Sequence, residues 1–289
     1  MLTKEIEFTA EDGLRLFAKS YGPQDASLTV VCLHGLTRNH KDFEPMIEAL
    51  GDKCRFIAWD TRGRGKSERD PKAENYLNTT YARDVISMLD HLGLDKVALI
   101  GTSMGGLISM ILMAMIPERI LGVILNDIGP KLEQEGIDRI GGYVGDIKPF
   151  DSFEEVATRL EAVHKEAHPT FSQEDWLGFA KRTFTQRPDG KFIADYDPAI
   201  ADSLKAVKVD DEGTKAAWEL FDHMKQAPLL IIPGALSNLL KVETAHEMAR
   251  RHGDADVAVV PNVGHAPLLN ETEAIAAISR FLTRLDPGK

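Results

Sequence analysis

Cysteine, long apolar runs and positive charge are all scarce in this chain of 289 residues. The two cysteines, Cys32 and Cys54, are too few for a disulfide framework or a structural zinc site, and both stand in apolar stretches typical of buried, inert thiols. The most apolar run, from Leu107 to Ile116, is too short to cross a bilayer. The N-terminal stretch MLTKEIEFTAEDG carries charges where a secretory signal needs an apolar segment. We therefore expect a soluble cytoplasmic protein.

Basic residues are outnumbered, with 34 Lys and Arg against 45 Asp and Glu and a net charge of −11. An acidic surface repels phosphate backbones and anionic lipid, so nucleic acids and membranes are poor candidates for partners. Hydrophobic residues make up 43% of the chain and charged residues 27%, which is ordinary globular usage. The expected partner is a small molecule, and the composition leaves the oligomeric state open.

Segments with the character of buried strands alternate with segments of helical spacing. Apolar residues fill residues 28–33, 56–59, 97–100 and 120–125, as expected for strands that are buried on both faces. Helical patterns separate them at residues 43–50, 81–92 and 104–116. This alternation predicts βαβ units, and therefore an α/β fold with a mainly parallel sheet and helices on both faces. Before it, the turn Asp12-Gly13 between residues 6–8 and 14–18 predicts a β-hairpin.

The alternation stops near Gly129 and resumes with apolar strands at residues 229–232 and 257–260. The residues between them have helical spacing and are rich in charged and aromatic side chains. We interpret residues 1–130 and 227–289 as one α/β core, and residues 131–226 as a helical cap inserted into it. A cap over a site forms the walls of its pockets, so its aromatic residues are candidates for lining the site: Tyr143, Phe150, Phe153, Trp176, Phe179, Phe184 and Tyr196.

Residues 101–105 read GTSMG, directly after one predicted strand and at the start of a predicted helix. This is the G-x-S-x-G nucleophile elbow in the context that the motif requires. The sharp turn strains the backbone at Ser103 and lifts its hydroxyl clear of the sheet, beside the positive end of the helix dipole. A plain glycine-rich turn with an incidental serine is the alternative. We predict that Ser103 is a nucleophile, and such a hydroxyl needs a general base.

Four motifs occur in a familiar order: HGL at 34–36, DTRGRGKS at 60–67, GTSMGG at 101–106 and VGHAP at 263–267. With these motifs the chain resembles the α/β-hydrolase fold superfamily, in which the insertion would be the variable cap. The resemblance implies that His265 is the catalytic base and that the backbone N–H groups of Leu36 and Met104 form the oxyanion hole. It assigns His34 to stabilisation of its own loop.

The acid of the triad is the difficult assignment. In the superfamily it usually follows the strand at 229–232, in a motif like G-x-x-S-D, but here residues 234–238 read GALSN and end in Asn238. A second recognised position, at the end of the preceding core strand, holds Asp127. Replacing the acid by an amide in a serine protease costs about 10⁴ in turnover, because the histidine takes the wrong tautomer. We therefore predict Asp127 as the acid, with Asn238 as the less effective alternative. Capping of the turn at 128–130 is another role for Asp127.

Other motif-like patterns fail on inspection. Gly65-Lys66-Ser67 resembles the end of a phosphate-binding loop, but the first glycine of that motif is replaced by Asp60. The run of residues 101–106 is not a dinucleotide fingerprint, so no cofactor is predicted. His164 and His168 are one helical turn apart, but they match no zinc-protease motif. We expect them on a solvated cap helix, and we predict no metal site.

Together these patterns predict a serine hydrolase that cleaves a carboxylic ester, or a related acyl substrate of small to medium size, through an acyl-enzyme. Lactonases, thioesterases and carbon–carbon bond hydrolases use the same serine elbow, and the sequence does not separate them. A non-catalytic ligand-binding protein of the same fold is an alternative from another class, because an amide at position 238 would suit one.

Overall fold

The structure is a computed structural model that describes residues 1–145, 148–204 and 210–286. Its strands are β1 (Thr3–Thr9), β2 (Arg15–Tyr21), β3 (Thr29–Leu33), β4 (Arg55–Asp60), β5 (Val97–Thr102), β6 (Ile120–Asn126), β7 (Phe184–Gln186), β8 (Phe192–Ala194), β9 (Leu229–Ile232) and β10 (Ala255–Val257). Its helices are α1 (Glu44–Leu50), α2 (Asn78–His91), α3 (Met104–Met115), α4 (Gln134–Gly141), α5 (Phe153–His164), α6 (Gln173–Thr183), α7 (Ala201–Leu204), α8 (Asp211–Asp222), α9 (Val242–His252) and α10 (Thr272–Leu285).

Eight strands form one sheet in the order β1-β2-β4-β3-β5-β6-β9-β10. The pairs from β4 to β10 are parallel, whereas β1 and β2 form an antiparallel hairpin on one side. This sheet confirms the predicted α/β class and the predicted hairpin. The last strand begins at Ala255, two residues earlier than its apolar pattern suggested, and Val260 makes only an isolated bridge to Gly234.

Helices cover both faces of the sheet, which explains why its central strands are apolar at nearly every position. Along β3, Val31 and Leu33 belong to an apolar cluster that includes residues of α2, α3 and α9. Val30 and Cys32 belong to a second cluster, which includes residues of α1 and α10. Because side chains alternate across a strand, a strand covered on both faces has no position for a polar residue until it ends. The polar residues therefore gather at the carboxyl ends of the strands.

The chain between β6 and β9 carries α4 to α8 and the short β7–β8 hairpin. That hairpin lies in a region whose sequence predicts only helices. Helices α5 and α6 enclose an apolar cluster of their own, which includes Val156, Trp176 and Phe179. Helix α8 and the turn after it differ, since Phe221 and Met224 are buried in the same cluster as residues of α3. In the part of the chain that the structure describes, no helix is both long and apolar enough to span a membrane.

Candidate active site

Ser103 stands between the end of β5 and the first residue of α3, in a backbone conformation that few residues adopt. Its φ is 51° and its ψ is −115°, so the peptide unit is strained. The strain is held from both sides, because its N–H donates to the carbonyl of Asn126 at 3.0 Å and its carbonyl accepts from Gly106 at 2.8 Å. The observed strand–turn–helix is the context that the sequence motif requires.

The glycines of the elbow allow the helix to start this close to the sheet. A Cβ atom at Gly105 would overlap the carbonyl oxygen of Leu33 on β3, and one at Gly101 would overlap the backbone of Gly105. Any side chain at either position would therefore push α3 away from the strands. The close approach directs the N-terminus of α3, with its unpaired N–H groups, toward the reacting hydroxyl.

His265 lies on the loop after β10 and reaches Ser103 directly. Its Nε2 is 3.0 Å from the Ser103 Oγ, and its side chain is only 7% exposed. Its Nδ1 lies 2.7 Å from Oδ2 of Asp127, whose side chain is completely buried. With Nδ1 protonated, the ring donates to the carboxylate and leaves Nε2 free to accept the serine proton.

The Asp127 carboxylate lies just past the carboxyl end of β6 and is held by two further donors. The Gly234 N–H donates to Oδ1 at 2.8 Å, and the Ser237 hydroxyl donates to Oδ2 at 2.6 Å. These bonds satisfy the charged form and fix the orientation of the carboxylate toward His265. Asp127 also has a positive φ, of 53°, which turns the chain sharply out of the strand.

Asn238 stands apart from this chain of hydrogen bonds. Its amide donates to Glu135 of the cap at 3.4 Å and makes no hydrogen bond to His265. The two candidate positions for the acid therefore differ in what they contact, and only Asp127 touches the imidazole. The amide at 238 leaves the chain from Asp127 to Ser103 intact, so it no longer favours a non-catalytic protein.

Two backbone N–H groups beside Ser103 donate to no described residue. One belongs to Met104, the first residue of α3, and the other to Leu36 in the loop after β3. The Leu36 peptide is held from behind, since Arg64 Nε donates to its carbonyl at 2.9 Å while Arg64 itself is 1% exposed. Free N–H groups of this kind are what an oxyanion hole requires.

His34 is fully buried, and its two ring nitrogens make hydrogen bonds to the backbone of neighbouring loops. Its Nε2 accepts from the Thr61 N–H at 3.0 Å, and its Nδ1 donates to the Gly35 carbonyl at 2.7 Å. Burial lowers the pKa of His34 to about 4, so the ring is neutral at pH 7. These two bonds join the ends of β3 and β4, as expected for a loop-stabilising residue.

The segment that resembles a phosphate-binding loop is occupied by structural contacts. Asp60 accepts hydrogen bonds from the backbone of His40 and Lys66, and Arg62 forms buried ion pairs with Asp70 and Asp84. Within the described ranges, no group of three or more His, Cys, Asp or Glu side chains is placed to hold a metal ion.

A cavity of about 150 Å³ opens onto Ser103 and His265 between the core and the cap. Of the seven aromatic candidates from the sequence, five line it: Tyr143, Phe150, Phe179, Phe184 and Tyr196. Phe153 packs against Phe192, and Trp176 is buried in the cluster of α5 and α6. Arg38 also lines the cavity, where its guanidinium pairs with both oxygens of Asp42 at 2.6 Å and lies over the Phe179 ring.

His164 and His168 also line this cavity, which corrects the expectation that they face solvent. His168 is 3% exposed, and burial lowers the pKa of each ring to about 3, with the charge of Arg38 adding to the effect. The expectation was wrong because helical spacing shows which residues share a face, but not which face turns inward.

Several residues that position the site carry no recognisable sequence signal. The Asn126 amide donates to Thr102 at 3.0 Å and to the Pro267 carbonyl at 2.8 Å, and so joins β5, β6 and the histidine loop. Arg139 of the cap donates to the carbonyl of His265 at 3.1 Å. Gly234 and Ser237 differ, because both belong to the GALSN segment.

Comparison with known proteins agrees with this fold. A family model described as the alpha/beta hydrolase fold matches residues 29–272. The 3-hydroxybutyrate-oligomer hydrolase of Cupriavidus necator is 34% identical over 274 residues, which cover 93% of both chains. The 2-(acetamidomethylene)succinate hydrolase of Mesorhizobium japonicum is 27% identical over 252 residues, or 86% of both. A solved α/β hydrolase from Novosphingobium aromaticivorans superposes with a TM-score of 0.90 at 36% identity and 98% coverage of both chains.

The family match extends over most of the chain, and the relative at 34% identity is matched over nearly all of its length. The named relatives are hydrolases, and the eight-stranded sheet is shared with the solved structure. The chain therefore belongs to the α/β-hydrolase fold family, and it is a hydrolase.

Proposed function

We propose that this hydrolase cleaves a carboxylic ester through an acyl-enzyme on Ser103. The observation that carries the proposal is the continuous chain of hydrogen bonds from Asp127 through His265 to the Ser103 hydroxyl, at the mouth of a largely apolar cavity. A serine hydroxyl is a weak nucleophile at neutral pH, and an oriented imidazole is the group that activates it.

In this mechanism Ser103 Oγ attacks the ester carbonyl carbon while His265 Nε2 takes the hydroxyl proton. The carbonyl oxygen becomes an oxyanion that accepts hydrogen bonds from the Leu36 and Met104 N–H groups, and each such donor is worth about 3 kcal/mol or more. The imidazolium is stabilised by Asp127. The imidazolium then gives the proton to the departing alcohol, and the acyl group stays on Ser103.

A water molecule completes the cycle. His265 removes a proton from the water as its oxygen attacks the acyl carbon, and the second tetrahedral intermediate collapses to release the carboxylic acid. The proton returns to Ser103 Oγ. Each half of the reaction uses the same base and the same oxyanion donors, so one set of side chains serves both steps.

The relative from Cupriavidus necator is named for hydrolysis of 3-hydroxybutyrate oligomers, and its similarity covers nearly the whole chain. We propose short oligomers of 3-hydroxybutyrate as the first substrates to assay. Simple esters, thioesters, a lactone and a vinylogous diketone belong in the same panel, because all of these reactions begin at a serine elbow.

The nucleophile is tested by covalent labelling. A fluorophosphonate probe should add one probe mass to the protein, and Ser103→Ala should abolish both the label and the ester turnover. Ser27→Ala serves as the control, because Ser27 is exposed and does not line the cavity. Labelling that persists in Ser103→Ala would exclude Ser103 as the nucleophile. Turnover of only the diketone would replace ester cleavage by carbon–carbon bond cleavage.

A further inference from the structure

His164 and His168 have ring nitrogens that no described residue hydrogen-bonds. The Nδ1 of His168 is completely buried and has no hydrogen-bond partner among the described residues, and His168 as a whole is 3% exposed. Leaving a buried polar atom unpaired costs about 1–3 kcal/mol, so such an atom needs an explanation. Both residues line the cavity that contains Ser103. His168 Nε2 and both ring nitrogens of His164 also lack a hydrogen-bond partner among the described residues, but they are not completely buried, so a bound substrate can reach them.

The two rings are brought to one side of the chain by local structure. His164 is the last residue of α5, and the His168 N–H donates to its carbonyl at 3.0 Å, which adds one further helical turn. Residues four apart on a helical turn are neighbours on one face. The same segment reaches the catalytic loop, because the Ala167 carbonyl accepts from the Gly264 N–H at 2.7 Å, next to His265.

Aromatic side chains fix the orientation of each imidazole. The His168 ring stacks on Phe171 with centroids 4.5 Å apart, and the His164 ring meets the Tyr143 ring edge-on at 5.0 Å. Phe179 contacts both imidazoles, at 5.7 Å and 6.1 Å between ring centroids. The two histidines therefore present polar atoms in fixed positions beside aromatic rings of the wall. A few polar groups placed in this way usually select one orientation of a ligand.

The charge state of the pair indicates which group it would recognise. Because the pKa of each ring is lowered to about 3, both are neutral at pH 7, and each offers one donor and one acceptor. A hydroxyl group also donates and accepts, so it matches a neutral imidazole. A carboxylate only accepts, and of the two arginines that line the cavity, Arg38 is already paired with Asp42.

We propose that His168, with His164 beside it, is a specificity-determining residue that hydrogen-bonds a hydroxyl group of the ester substrate. The preferred substrates are then hydroxylated esters rather than plain alkyl esters. This inference rests on the proposed esterase function, because it concerns the substrate of the same Ser103.

The test uses esters that differ by one group, followed in a pH-stat: ethyl butyrate, ethyl 3-hydroxybutyrate, 2-hydroxyethyl butyrate and monoethyl succinate. In His168→Phe, kcat/KM for a hydroxylated ester should fall about 10–100-fold, the worth of one lost hydrogen bond in a buried site, while ethyl butyrate changes by less than about threefold. His168→Gln keeps a donor and an acceptor and should recover part of the loss. His246→Phe, on the exposed side of α9, is the matched control.

The outcomes separate the two proposals. A loss of kcat/KM in His168→Phe that is selective for ethyl 3-hydroxybutyrate or for 2-hydroxyethyl butyrate supports the inference. An equal effect on all four esters, no effect, or a loss confined to monoethyl succinate overturns it while leaving the esterase proposal intact. If the wild-type protein hydrolyses no ester, both proposals fail. The rate of fluorophosphonate labelling, measured on each variant, shows whether Ser103 and its base are still assembled.

Discussion

At the scale of single residues, the Asp127 carboxylate accepts hydrogen bonds from three donors in two parts of the chain, the loop after β9 and the loop of His265. His265 Nδ1 and Ser237 Oγ share Oδ2, and the Gly234 N–H occupies Oδ1. A buried carboxylate with this many donors is held in one orientation, which a triad acid needs before it can stabilise an imidazolium. Ser237 is the one side chain among these donors that can be removed without touching the triad.

Ser237→Ala should lower kcat by roughly 10-fold, because it deletes one hydrogen bond to a charged group, worth about 1.5–3 kcal/mol, while leaving His265 in place. KM should change little, since Ser237 does not line the cavity. Steady-state kinetics on an ester substrate measure both constants, and Ser152→Ala, an exposed helix cap of α5, is the control. An unchanged kcat would show that the other two donors suffice to hold Asp127.

At the scale of elements, the sequence predicted the strands better than the cap. Residues such as Val30 and Val31 must both be apolar because β3 is covered on two faces, so the run itself indicates a central strand. The hairpin of β7 and β8 was missed because three-residue strands are too short for their alternation to stand out. The inward face of α5 was missed because a single helix does not show which side its neighbours will cover.

The site residues show the same difference between local and long-range signals. Ser103 and His265 were predicted from local motifs that each follow a strand, whereas the acid was predicted as Asp127 with Asn238 as the alternative, since two strand ends offered a candidate. The two candidates differ in what their side chains contact in the folded protein: Asp127 contacts His265, whereas Asn238 contacts Glu135. Arg139 and Asn126 act through backbone carbonyls, and such contacts leave no pattern in a single sequence.

Helix α4 contributes a direct contact to the loop that carries His265, and we expect this contact to position His265. Arg139→Ala should lower kcat by roughly 10-fold, because it removes a charge-assisted hydrogen bond to the His265 carbonyl worth about 1.5–3 kcal/mol. Lys165→Ala, an exposed change in the same cap, should have no effect on kcat. The kinetics should be accompanied by thermal unfolding, and a lower melting temperature with an unchanged kcat would show that Arg139 stabilises the cap alone.

At the scale of the whole molecule, the folded state holds three neutral histidines, of which His34 and His168 are buried and His164 is half-buried. The pKa of His34 is lowered to about 4 and those of His164 and His168 to about 3, whereas an unfolded histidine titrates near 6.5. Below about pH 6.5 these histidines are therefore protonated in the unfolded chain, whereas in the folded protein they stay neutral until the pH falls to about 4 for His34 and about 3 for His164 and His168. The free energy of unfolding is highest above about pH 6.5 and falls as the pH drops through this window.

Each of these histidines should contribute about 1.4 kcal/mol per pH unit to that fall. Urea unfolding at pH 7 and pH 5 measures it, and His168→Phe should reduce the difference between the two values by about 2 kcal/mol. His246→Phe should leave the difference unchanged, because His246 is exposed. The same pH-dependent loss in His168→Phe as in the wild-type protein would show that His168 is protonated in the folded state.

The central claim is that Asp127, and not residue 238, orients the base of a serine hydrolase. It is tested most directly by the kcat of two variants on one ester substrate. Asp127→Asn should lower kcat about 10³–10⁴-fold, the size of the tautomer penalty, and Asn238→Asp should stay within about threefold of wild type, because its side chain points to Glu135. Nearly full activity in Asp127→Asn, together with a several-hundredfold gain in Asn238→Asp, would contradict the account.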